Sequence, residues 1–159
     1  MTQITGDYVK QFNAKRITDP ARSALVIIDM QYATGHPTGA LAQKMKAEGN
    51  SVTDWRFERI KTLVIPNNQR LIKVMRAAGG KVIYITIGAA LADCSDAPVH
   101  MRAFFESLGN YEGQPAHQII DELAPEPGDP IVRKTSMGAF ASTGLDHLLR
   151  ALDREHLFM

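Results

Sequence analysis

Cysteine occurs once in these 159 residues, as Cys94. A single thiol excludes an intrachain disulfide, so a packed core must hold the fold, and a reducing, cytoplasmic setting is the natural expectation. A charge excess of one sign is missing too. Eighteen Lys and Arg face seventeen Asp and Glu, a formal net charge of +1, which leaves no broad electrostatic footprint for nucleic acid or an anionic membrane. Long hydrophobic runs are absent: the apolar stretches fall far short of the roughly 20 residues that span a bilayer. Residues 1–15 carry Asp7, Lys10 and Lys15 without the apolar centre of a signal peptide. A small polar or neutral molecule is the partner that survives these exclusions.

What is present is ordinary for a globular chain. Hydrophobic residues make up 45% and charged residues 22%, which rules out a disordered or collagen-like chain. At this length one core suffices, burying roughly 68–70% of the extended-chain surface.

Ser23-Ala24-Leu25-Val26-Ile27-Ile28-Asp29 is a continuous apolar run closing on a carboxylate, the pattern of a parallel strand buried on both faces. Gly35, Pro37 and Gly39 mark a loop, and residues 40–50 predict a short helix. Across residues 55–78, Ile60, Val64, Leu71, Ile72 and Met75 recur near a 3.6-residue period, and Gly79-Gly80 stop the helix. Pro66 inside that span predicts a kink or a second helix start. Lys81-Val82-Ile83-Tyr84-Ile85-Thr86-Ile87 then completes a β-α-β unit.

Residues 88–98 read as a loop, and residues 100–108 and 116–123 as two further short helices. The turn cluster Pro125-Glu126-Pro127-Gly128-Asp129-Pro130 leads into a third strand, Ile131-Val132-Arg133-Lys134. After it, Leu145, Leu148, Leu149 and Leu152 form one apolar helical stripe, with Thr143 as a candidate cap and Asp146 beside the free amides of the first turn. His156-Leu157-Phe158-Met159 opens as a fourth strand in mid-run, so the native domain is expected to continue past Met159. The fold class expected is α/β, three layers with a parallel, Rossmann-like sheet. Residues 1–22 form an arm without a motif, and residues 23–159 one domain incomplete at its C-terminal side.

Two strand ends carry the chemistry. Asp29 closes the first strand and Lys134 the third, and ligands of open α/β sheets sit outside the carboxyl ends of the strands. A carboxylate and an ammonium there stabilise each other in a partly desolvated crevice, and each can handle a proton or a developing charge. An Asp at a strand end can also simply cap a turn, with Lys134 as its structural partner. Gln31, Tyr32 and Phe140 are candidate substrate contacts, with the local backbone competing for Gln31 and core packing for the two aromatics.

The run Val26-Ile27-Ile28-Asp29-Met30-Gln31, with Ile131-Val132-Arg133-Lys134-Thr135-Ser136-Met137-Gly138-Ala139-Phe140, resembles the isochorismatase-like hydrolase superfamily, matching its Asp-x-Gln strand end and its Lys-x-x-x-x-Ala-Phe loop. The resemblance runs from about Ser23 to the chain's end. It implies a cysteine hydrolase, an amidohydrolase cleaving a carbon–nitrogen bond of a small amide or ureide, with no cofactor. It further implies Asp29 as general base for a thiol, Lys134 as holder of the thiolate and developing charge, and assembly as a homo-oligomer, dimer or tetramer. The family's nucleophilic Cys follows the fourth strand, so these 159 residues alone are expected to lack it, together with the oxyanion-binding amides that come with it, and to be inactive.

Cys94 does not match that position and reads better as a buried small hydrophobe than as a nucleophile. His36, His100, His117, His147 and His156 are scattered without metal-ligand spacing. Asp54-Trp55-Arg56 lacks the histidine of the zinc-binding Asp-x-His branch, so no metal is expected. Two rival readings remain open: a vinyl ether hydrolase of the same fold that needs no thiol, and a non-catalytic binding or assembly module.

Overall fold

The computed structural model describes residues 18–159; the reading of the first fifteen residues, and most of the N-terminal arm, lies outside them. Four parallel strands form one sheet. They are β1 (Ser23–Ile28), β2 (Lys81–Ile87), β3 (Ile131–Lys134) and β4 (His156–Phe158), in the order β3-β2-β1-β4. All four segments coincide with strands read from the sequence, and β1 and β2, buried along nearly their whole length, are the ones whose apolar runs show no polar alternation. In β1 the two faces separate cleanly. Leu25 and Ile27 join Val82 and Tyr84 in one core, while Ala24 and Val26 join Ile83 and Ile85 in the other.

Helices α1 (Ala40–Ala47), α2 (Asp54–Arg59) and α3 (Ile65–Ala77) cover the first face through Leu41, Phe57, Ile65 and Ile72. Between α2 and α3 the chain stays helical but widens into a π turn over Ile60–Val64. Pro66 is the cause: it has no N–H to return to the carbonyl one turn earlier, and the helix accommodates the lost bond by slipping register. The helix ends at Ala78, and Gly79 adopts φ +80° to reverse the chain into β2. The helix α4 (Val99–Leu108) follows β2 and packs through Phe105 on a third cluster beyond the strand's end.

Two further helices precede β4: the single turn α5 (Ala139–Ser142) and α6 (Leu145–Ala151). Leu145 and Leu149 of α6 fill the second face, each burial stabilising by about 1.5–3 kcal/mol. The Thr143 hydroxyl accepts from the Leu145 amide at 3.1 Å, whereas Asp146 pairs with Arg150 at 2.9 Å. Because β4 returns beside β1, on the side opposite β2, the strand order reverses at β1. Its carboxyl end therefore borders the switch point where such sheets bind ligands.

One expected helix is absent. Residues 116–123 form two isolated 3-10 turns, Pro115–His117 and Asp121–Leu123, because their backbone is drawn to the exit of β1. Tyr32 and Ala33 donate to the carbonyls of Gln118 and Ala116, and Ile120 donates to that of Met30. Among the described residues no helix is long and apolar enough to cross a membrane.

Candidate active site

Asp29 is the first residue past β1 and holds the left-handed conformation, φ +56°, unusual for a residue with a side chain. Its amide still donates to Ile85 of β2 at 2.9 Å, so the parallel pairing reaches Asp29 and the chain leaves the sheet only after that amide. From the far side of β2, Lys134 reaches across and donates from Nζ to Asp29 Oδ2 at 2.9 Å. Its second acceptor is the Met137 carbonyl at 3.3 Å, in the loop that follows β3. Lys134 is only 3% exposed, and such a cation requires these partners.

The other carboxylate oxygen, Asp29 Oδ1, is buried and has no hydrogen-bond partner among the described residues. Burial raises the Asp29 pKa above the ordinary carboxylate value, and the Lys134 hydrogen bond and charge offset only part of that. The pair thus consists of one oxygen held by an ammonium and one whose lone pairs are unused, a placement suited to taking and returning a proton.

The remaining candidates are placed differently. Gln31 is fully buried. Its Oε1 accepts from the Ile87 amide at 2.7 Å and its Nε2 donates to the His117 carbonyl at 2.7 Å. With no polar atom left for a substrate, Gln31 ties the tip of β1 to the tip of β2. Tyr32 packs on the first core, edge-on to His36 with centroids 5.2 Å apart, and its hydroxyl accepts from the Asp121 amide at 3.4 Å. Phe140 stands 53% exposed on α5, which begins two residues after the carbonyl that holds Lys134.

Reading from sequence missed the continuation of the Gln31 contact. His117 Nδ1 lies 3.0 Å from Asn110 Oδ1, and Asn110, 1% exposed, donates from Nδ2 to the Ile87 carbonyl at 3.0 Å. Both residues sit in irregular segments, where no periodicity marks an inward side chain. Gly88 is required beside them: a Cβ there would meet His117 Nδ1 at 2.5 Å and the Asn110 carbonyl oxygen at 2.7 Å.

Cys94 is fully buried among Ala89, Ala97, Met101 and Phe105. Burial pushes its thiol pKa up, and the charges of Glu106, Asp96 and Asp93 push the same way, the opposite of what a nucleophilic thiol needs. Among the described residues no three metal-ligating side chains converge.

Comparison with known proteins places the fold. The isochorismatase domain family model matches residues 23–159. A cysteine hydrolase from Pseudomonas syringae pv. phaseolicola 1448A superposes with a TM-score of 0.68 at 29% identity, over 90% of this chain and 60% of that one. An isochorismatase family protein from Desulfovibrio vulgaris subsp. vulgaris str. Hildenborough superposes with a TM-score of 0.62 at 30% identity, over 86% and 64%. N-carbamoylsarcosine amidase from Thermoplasma acidophilum, at 23% identity and a TM-score of 0.59 over 86% and 65%, shares the fold. This chain spans less than two thirds of the length of each of the three.

Proposed function

This chain belongs to the isochorismatase domain family, and from that membership and the Asp29–Lys134 pair we propose that it supplies two of the three catalytic groups of a cysteine hydrolase acting on the carbon–nitrogen bond of a small amide or ureide. The observation that carries the reading is the asymmetry of Asp29, with Oδ2 held by Lys134 and Oδ1 buried and unpaired.

In this reading Oδ1 takes the proton of a thiol, and Lys134 stabilises the resulting thiolate and the charge that develops on the substrate. Sulfur bonds to the carbonyl carbon, the carbon–nitrogen bond breaks, and Asp29 returns its proton to the leaving nitrogen. Water, deprotonated by Asp29, then cleaves the carbon–sulfur bond and restores the thiol. In this reading the thiol is not Cys94, which is sealed in its own apolar cluster, and the 159 residues, with their one cysteine, do not turn over the substrate by themselves. Phe140 stands near the substrate's path as an apolar contact.

A second reading draws on the raised Asp29 pKa. A carboxylic acid that keeps its proton can protonate a vinyl ether directly, without a thiol. Alkylation separates the two. Turnover of amide and ureide substrates by the native protein should vanish after iodoacetamide and in Asp29→Asn. Amide or ureide turnover that survives alkylation would end the covalent reading.

A further inference from the structure

β3 is the last strand on its side of the sheet, and its outer edge is open. Pro130 and Lys134 turn their carbonyls to Tyr84 and Gly88 of β2, so by strand alternation Ile131 and Arg133 turn theirs, with their N–H groups, away from it. No hydrogen bond reaches these four groups among the described residues. A groove of about 820 Å3 follows the edge. Ile131 and Arg133 lie on one face of the sheet with Thr86, and Val132 lies on the other with Leu148 of α6. The groove therefore straddles the strand and fits a chain running along it instead of a compact ligand. Open edges are usually guarded by charge, but the one charge that β3 presents to solvent, Arg133, is already paired with Glu112.

The four groups are complementary to themselves. With a second copy laid antiparallel and the two-fold axis at Val132, Ile131 of each copy stands opposite Arg133 of the other. Each such pair exchanges two N–H···O bonds, four in all. Within β3, a shift of two residues leaves only one such pair. Val132 meets its own copy on the axis as a non-hydrogen-bonded pair, with Cα atoms about 4.5 Å apart, and with Leu148 it carries the second core across the junction. On the other face Ile131, 55% exposed, is covered by the aliphatic stem of Arg133 from the second copy. Charge fits the same register. The residue diagonal to Arg133 is Asp129 of the second copy, within reach of a long side chain. It belongs to a turn where Arg76 alone serves two carboxylates, Glu126 and Asp129, so negative charge is in excess there.

We propose that two copies of this chain join edge to edge through β3, antiparallel, with the two-fold axis at Val132, so that their sheets become one. Arg133 contacts Glu112 through a single nitrogen, and its remaining donors turn to the acidic turn of the second copy. The inference does not depend on the proposed hydrolase activity, because the side chains of Asp29 and Lys134 take no part.

Sedimentation equilibrium of the 159-residue protein from about 1 to 300 µM, where a junction of modest size registers, should show a reversible monomer–dimer equilibrium. Ile131→Lys sets an ammonium opposite Arg133 of the second copy, twice per dimer, and should weaken association about tenfold or more. Ile131→Glu sets a carboxylate there and should tighten it about threefold or more. Because Ile131 is exposed, circular dichroism of both variants should match the parent. Val132→Cys in a Cys94→Ala background should form a disulfide-linked dimer when diamide oxidises the thiols, since only this register brings residue 132 onto its own copy. A protein that stays monomeric throughout the range overturns the proposal. So does association that responds alike to Ile131→Lys and Ile131→Glu, which would place the contact on another surface such as β4. A dimer that forms only after removal of residues 1–17, making that arm the occupant of the edge, or one that gives no Val132→Cys cross-link, overturns it as well.

Discussion

Lys134 Nζ lies 2.9 Å from one oxygen of Asp29, while the other oxygen of the same carboxylate is buried without a partner among the described residues. The two residues are 105 positions apart in the chain and meet only because β2 lies between their strands, so that both strand ends open on one edge. A carboxylate oxygen with no donor among the described residues, beside a buried cation, is a placement suited to proton transfer.

Lys134→Met tests the pair as a unit. The variant leaves Asp29 without its cation and should lose about 3 kcal/mol in urea unfolding, the low end for a broken buried pair, because Asp29 keeps some contact with water and can protonate. Asp29→Asn combined with Lys134→Met should lose less than the sum of the singles, by about 1 kcal/mol or more. Strict additivity would show that the two do not cooperate.

Gln31→Leu removes both anchors between the tips of β1 and β2. Each lost contact leaves a buried backbone group unpaired, so the expected cost is about 2–4 kcal/mol. Gln31→Glu should be nearly as damaging, since its oxygens cannot donate to the His117 carbonyl. A melting temperature within about 2 °C of the parent in both variants, which corresponds to well under 1 kcal/mol, would mean that the amide is not holding the site.

Gly88→Ala should destabilise by about 1–3 kcal/mol, since the Asn110 carbonyl that its Cβ meets is backbone and cannot swing aside. Co-substituting His117→Ala relieves one contact only. Full rescue by that second change would place the clash wholly on the imidazole, contrary to the geometry.

How legible the fold was depends on the kind of contact. The parallel strands and α6 announce themselves because one-dimensional patterns, continuous apolar runs and a leucine stripe, map directly onto faces. Asp29 and Lys134 could be singled out because each terminates such a run and because the flanking motifs resemble a known family. The segment 116–123 defeated the same logic. Its hydrogen bonds go to residues some 85 positions earlier, and local periodicity carries no trace of such partners. Gln31 shows the same limit in another form: its residue type suggested a contact, but only the fold shows that every polar atom is engaged.

His117 should make stability depend on pH in a defined direction. Its folded pKa is lowered below the ordinary histidine value of about 6.5 by burial and by Arg133. Between the lowered value and 6.5 the unfolded chain binds a proton that the folded chain does not. Stability is therefore complete above about pH 6.5 and is lost as the pH falls through that window. Urea unfolding across about pH 7 to pH 5 should show a shallower slope in His117→Gln than in the parent. Identical slopes would mean that the imidazole charges freely in the folded state.

Cys94 decides where any thiol chemistry can reside. It adopts φ +53°, is fully buried, and has a pKa raised first by burial and then by three nearby carboxylates. A thiol so placed reacts only when the surrounding cluster of Ala97, Met101 and Phe105 opens. Labelling by a disulfide reagent under native conditions should accordingly be slow, and should accelerate with urea in step with unfolding. Under the proposed reading, Cys94→Ala should leave amide or ureide turnover by the native protein intact and still sensitive to iodoacetamide. Rapid native labelling of Cys94, joined to loss of activity in Cys94→Ala, would instead make this residue the nucleophile and would require the loop of residues 88–98 to unfold toward Asp29 during turnover.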